Sequence, residues 1–187
     1  MIGLSPKTMT LPSTIYIMFV FGILSIDVMM YFLHRYYHHN QFLWRFHKLH
    51  HEESSMNLTS TFRFHWVEIV FSYGLRSLLF AVFPIPPATW LIYDLLSLTV
   101  ILFHHANISL NPFVNKFLSV LIVTPPMHQV HHSRNHHESL HNFSSFLSFW
   151  DKIFGTYLKK DGDFSLGIEG ESTQTNVVLF WISPFKR

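Results

Sequence analysis

The sequence predicts an all-α integral membrane protein with about three transmembrane helices, a short interfacial or re-entrant segment and a cytosolic histidine-rich cap. Three observations lead there. Mean hydropathy is +0.23, and 13% of the 187 residues are charged against 49% hydrophobic and 17% aromatic. A chain so poor in charge is too apolar to be disordered and is badly solvated by water. Apolar stretches recur at lengths near a bilayer's thickness. The third observation is 15 His beside no Cys, which excludes disulfides, thiolate metal sites and Cys nucleophiles and makes imidazole the reactive group of interest. The length suits one domain over residues 1–187. A formal charge of +2 without a basic stripe sets nucleic acid aside.

Residues 8–26 carry no charge, which is enough to cross a hydrocarbon core, and Pro12 stands near the start. With only Lys7 ahead of it and no small-residue cleavage site where it runs through Asp27 into Tyr31, the run reads as an uncleaved first span over roughly residues 10–33. Residues 67–83, interrupted by Arg76, and 88–103, containing Asp94, form two further apolar stretches. Between them, the three prolines of Pro84-Ile85-Pro86-Pro87 lack amide donors and disfavour helix, so the two stretches predict an antiparallel hairpin of spans. Residues 117–123 are apolar but too short to cross, and they end at Thr124-Pro125-Pro126; they are expected to lie in the interface or dip back.

Counting crossings places residues 34–63 and everything from His104 onward on one side, so the 15 His, with His65 just ahead of the second apolar stretch, share a face. Arg35, Arg45, Lys48, Arg63, Lys116, Arg134 and Lys152 fall there too, and the positive-inside rule makes that face cytoplasmic. Asn57, Asn107 and Asn142 match the glycosylation pattern and, on this topology, stay unmodified.

Three histidine clusters have helical spacing. His34 and His38 are i and i+4; His47, His50 and His51 are i, i+3 and i+4; His128, His131 and His132 repeat that pattern. Neighbours so spaced lie on one helical face, close enough to converge on metal. A single zinc takes three or four ligands, so eight imidazoles suit two ions, and Fe, Zn, Cu or Ni fit imidazole better than Mg or Ca. His39 and His104, taken singly, read as anchors at the membrane boundary.

The order of these clusters around an apolar hairpin resembles the fatty acid hydroxylase/sterol desaturase superfamily of membrane di-iron enzymes. The likeness extends to Asp27, His34-Arg35, His38 and Leu43-Trp44; to Arg63-x-His65-x2-Glu68; to Phe103-x-His105-Ala106-Asn107; to Thr124-Pro125-x2-His128; and to Trp150-Asp151-Lys152-Ile153-Phe154-Gly155-Thr156-Tyr157. It covers residues 27–185. The resemblance implies two iron ions, ligated by the eight cluster histidines and by His105, that use O2 to hydroxylate or desaturate a fatty acyl, alkyl or sterol-type lipid. It makes His65 a further ligand or a support, and Asp27, Arg63, Glu68 and Asp151 supports for ligands or helices. It also implies an external electron donor of ferredoxin or cytochrome type, and a bacterial inner membrane or endoplasmic reticulum with the histidines facing the cytoplasm.

Two features depart from that pattern. Leu140 stands where the family usually has an acidic residue before Asn142-Phe143, and His136, His137 and His141 have no family counterpart. His137-Glu138-x-x-His141 is also the string of zinc metalloproteases, which need it on a long helix with a third ligand. A protease and a non-enzymatic membrane metal-binding protein therefore stand as the alternative readings.

Overall fold

A computed structural model describes residues 11–162 and 165–186, with side chains from Ser13 onward. Lys7 and residues 8–10, where the first uncharged run begins, lie outside that range. Among the described residues the chain is helical, and two isolated bridges, Ile122 to Leu147 and Ser133 to Leu166, replace any strand.

Helix α1 (Leu11–His39) is one rod of 29 residues that carries the first apolar run straight into His34 and His38. Asn40 ends it and caps α2 (Gln41–His51) by accepting from the amides of Phe42 and Leu43, a usual role for Asn at a helix start. A 3-10 turn (Leu58–Phe62) leads to α3 (Trp66–Val82), and the proline turn joins α3 to α4 (Ala88–His105). From Ser13 on, α1 is long and apolar enough to cross a membrane, as is α4; α3, at 17 residues, is shorter. Ile17, Val20, Val70, Leu78, Leu91 and Leu95 stand exposed on these three helices, an apolar girdle that lipid covers better than water.

The rods meet at close range where the sequence is smallest. A Cβ on Gly22 would lie 2.5 Å from Ile85 Cγ2 and 2.8 Å from Thr89 Cγ2, so α1 reaches the proline turn only because position 22 has no side chain. Deeper in, Asp27 is buried and accepts from Tyr93 Oη at 2.9 Å, Trp150 Nε1 at 2.7 Å and the Leu147 amide at 3.2 Å. One carboxylate thus ties α1 to α4 and to the cap. Ile26, Tyr93, Val100, Val123, Met127, Phe146 and Leu147 pack around it as the core.

The cap consists of short helices, α5 (Pro112–Leu118), α6 (Pro125–His131), α7 (His136–Ser139), α8 (Phe149–Ile153) and α9 (Val177–Ile182). The apolar segment 117–123 does not act as one unit. Its helical part stops at Leu118, Val120 and Leu121 are exposed, and fully buried Val123 donates its amide to Phe146 at 3.0 Å, turning the chain into the core.

Candidate metal centre

Three short stretches deliver the imidazoles. The C-terminal end of α1 carries His34 and His38; one face of α2 carries His47, His50 and His51; α6 and the residue capping it carry His128, His131 and His132. His105, at the end of α4, completes the set. They sort into two groups: His34, His38, His47, His51 and His131 form one, and His50, His105, His128 and His132 the other, with ligand atoms within 4.8 Å of one another inside each group. The α2 cluster and the α6 cluster both divide between the groups.

The hydrogen bonds of these rings fix where their protons sit. His34 Nδ1 donates to the Phe143 carbonyl at 2.6 Å, His131 Nδ1 to the His141 carbonyl at 2.9 Å, His105 Nδ1 to the Ile101 carbonyl at 2.8 Å and His47 Nδ1 to Glu68 Oε2 at 2.8 Å. Each acceptor holds the proton on Nδ1 and leaves a lone pair on Nε2. Those Nε2 atoms nevertheless face each other, His34 and His131 at 2.9 Å and His34 and His47 at 3.0 Å. Two lone pairs so close repel unless they share a cation.

Nitrogens bound near 2.1 Å to one ion, at angles between tetrahedral and square, lie about 2.9–3.4 Å apart. The Nε2 separations fit: His51 to His47 is 3.2 Å, and in the second group His105 to His50 is 3.2 Å, His128 to His105 is 3.2 Å and His132 to His128 is 3.1 Å. Burial, then the neighbouring imidazoles, pushes His50, His51, His128, His131 and His132 well below the usual histidine range. They are neutral at pH 7, the form that ligates metal.

The supporting residues take separate parts. Glu68 orients His47. Asp151 accepts from the amides of Phe143 and Ser144 and from Thr156 Oγ1, so it holds the loop whose carbonyl fixes His34. Asp27 anchors helices at a distance from the rings. Arg63 braces α2 from behind, donating to the carbonyls of Leu49 and Gln174. His65 lies outside both groups. Its Nδ1 accepts from the Val67 amide to cap α3, and its Nε2 donates to the Trp181 carbonyl. Both nitrogens are taken, and His65 acts on the site only through its capping box with Glu68.

His104 was missed by the boundary-anchor reading. It is 1% exposed, and its ring centroid lies 3.9 Å from that of His128. The signal was present in α4, because Tyr93, Ser97, Val100 and His104 repeat at helical intervals along its buried face. The protease string does not assemble. α7 is four residues long, Glu138 is engaged by Ser133 and Lys160, and neither His137 nor His141 joins a metal-competent group among the described residues. The backbone of His141 serves His131 instead.

A cavity of about 300 Å³ between α1, α3 and α4 reaches both groups: His34 and His47 of the first and His50, His105 and His128 of the second line it, with Met30, Phe64, Ile69 and Ile101. Arg76 and Tyr93 also line it, two or more turns along α3 and α4 from Glu68 and His105.

Apolar helices that end in two adjoining histidine groups over a narrow cavity describe a class: α-helical proteins suited to hold metal beside a lipid-like ligand. Within that class the chain belongs to the fatty acid hydroxylase family, whose model matches residues 19–156. It is 27% identical over 154 residues to an ornithine lipid hydroxylase of Rhizobium tropici, covering 81% of this chain and 46% of that protein. It is 32% identical over 136 residues to the alkylglycerol monooxygenase of Homo sapiens, covering 72% of this chain and 29% of that one. A very-long-chain aldehyde decarbonylase of Oryza sativa is 30% identical over 156 residues, with 78% and 58% covered. The chain thus spans less than half the length of the first two. No solved structure matches it.

Proposed function

We propose that this chain is a membrane di-iron oxygenase that uses O2 to hydroxylate a lipid, with desaturation as the sister outcome of the same hydrogen abstraction. One observation carries the reading: the facing Nε2 lone pairs of His34, His47 and His131. His34, His38, His47, His51 and His131 would hold one iron, and His50, His105, His128 and His132 the other. Bound iron supplies activation of O2, with electrons from an external ferredoxin or cytochrome-type donor.

The protein's own part is placement. Glu68 and the Phe143, His141 and Ile101 carbonyls hold four rings in one tautomer, so the ligand set is organised before metal arrives. Met30, Phe64, Ile69 and Ile101 exclude water and keep an apolar chain beside His50 and His105. The relatives' names point to lipid-type substrates, and for this chain a fatty acyl, alkyl or sterol-type molecule is proposed. α1, α3 and α4 are taken as three spans of a single domain, with the histidines toward the cytoplasm of a bacterial inner membrane or the endoplasmic reticulum.

Metal analysis by mass spectrometry on gently purified protein tests the reading, beside a His50→Ala control and a lipid turnover screen with a reducing donor. Two irons per chain, with iron lost in the control, and an oxygenated lipid product are expected. A single zinc untouched by His50→Ala would refute the reading. Bound iron with no turnover of any lipid would reduce it to metal binding alone.

A further inference from the structure

We infer that the cavity binds an apolar chain bearing a hydrogen-bond-accepting oxygen, held by Arg76 at the end remote from the histidines. The inference rests on the proposed lipid oxidation and names the polar group of that substrate.

Arg76 is 7% exposed and lines the cavity. A guanidinium carries five N–H donors, and here Nη1 meets Asp94 Oδ1 at 2.5 Å while Nε is buried without a partner. The ring faces of Tyr73 and Tyr93 flank the guanidinium at 4.9 and 5.4 Å and fix its position. The other polar groups at this end are already committed. Tyr93 Oη donates to Asp27, Tyr73 Oη to Asp94, Ser72 Oγ to the Ile69 carbonyl and Ser97 Oγ to the Asp94 carbonyl. Arg76 therefore offers donors that the neighbouring cavity residues do not.

A charge in the middle of an apolar helix is expensive to keep, and an apolar pair packs there at least as well as an ion pair. A guanidinium kept with donors in reserve is explained by a ligand that accepts from it. The acceptor is a carbonyl, ester, hydroxyl or carboxylate oxygen, all of which present the same lone pairs.

Geometry adds a ruler. Glu68 and Arg76 are eight residues apart on α3, as are Ser97 and His105 on α4, and eight residues span about 12 Å. The oxygen would sit about that far from the carbon presented to the histidines, so Arg76 selects which carbon is offered.

The test is binding, measured by native mass spectrometry on full-length protein in detergent, with dodecanol and dodecane as probes. The comparison is with Arg76→Met/Asp94→Leu, which removes both charges together and leaves neither one orphaned. The preference of the wild type for dodecanol should exceed that of the variant by about tenfold, as expected for one hydrogen bond to a charged donor. Equal preferences in the two proteins overturn the inference. Should the variant not fold, a wild-type preference no greater than that of protein-free micelles overturns it instead. Iron content and turnover, read on the same preparations, separate the two proposals. Preference without iron sinks the oxygenase and leaves this site standing; turnover with an unaltered preference does the opposite.

Discussion

Glu68→Leu removes the carboxylate that fixes the His47 proton, and its effect on metal retention can be worked out from the structure. The pair is 2.8 Å apart, with side-chain exposures of 2% and 4%, so solvent cannot replace the lost acceptor. Without it the His47 ring can turn, or move its proton to Nε2 and give up the lone pair aimed at His34 and His51. Removing such a partner typically weakens metal binding 10- to 100-fold, equivalent to about 1.4–2.7 kcal/mol, and matches the worth of a hydrogen bond to a charged group. Glu68→Gln keeps an oxygen for the imidazole N–H but not the charge, so it should fall near tenfold, and Glu68→Leu near a hundredfold. The assay is titration of iron-loaded protein with a competing chelator, with circular dichroism to confirm that the helices persist. The titration should become biphasic, because the group around His50 takes no hydrogen bond from Glu68 and releases iron at the wild-type chelator concentration. A folded Glu68→Leu protein that releases both irons in the wild-type manner would refute the argument.

His104→Phe should retain the full metal complement while His105→Phe loses about one metal per chain, since His104 packs on His128 without joining either group; elemental analysis of both decides. Gly22→Leu should destabilise the fold by roughly 1–3 kcal/mol through overpacking against Ile85 and Thr89, read as a lower melting temperature, and an unchanged melt would refute the close approach. Asn142 sits at φ 56 and makes three side-chain bonds, to the carbonyls of Met127 and Leu158 and from the Leu158 amide. Asn142→Ala should therefore cost about 3 kcal/mol by the same melt. In iron-stripped protein, the imidazoles of His50, His51, His128, His131 and His132 stay neutral when folded yet take up protons from about pH 6.5 when unfolded, so the unfolded state binds more protons. Stability should be full above pH 7 and fall as pH drops below 6.5, by up to about 1.4 kcal/mol per pH unit for each such ring. A melting temperature constant down to pH 5 would contradict their burial.

Local features of the fold and site were legible because local physics sets them. The apolar stretches and the proline turn predict α1, α3 and α4, and the i, i+3, i+4 spacings place the histidines of α2 and α6 on single faces. What spacing cannot convey is how a cluster divides. His131 leaves its neighbours His128 and His132 to join His34 and His47, a choice made where α6, packed on α4, meets the imidazoles of α1 and α2, and invisible along the chain. His65 was left open between ligand and support for the converse reason. At the start of a helix an imidazole can be consumed by capping, and only the structure shows that its nitrogens already have partners. Nor does sequence reveal that Asp27 serves the cap from within α1, because its three donors come from residues 66, 120 and 123 positions away.

Asp27 and His34 lie seven residues apart on one unbroken helix, nearly two full turns, so both face the same way. The rod works like a key with two teeth cut in phase, one seated against Tyr93 and Trp150, the other meeting His47 and His131. One residue inserted between them would turn the teeth about 100° out of phase, and no movement of α1 as a whole could reseat both. Seven inserted residues would restore the angle but lift the second tooth by about 10 Å. An insertion in α1 before Asp27, or in the loops beyond, should therefore be tolerated far more easily than one between Asp27 and His34.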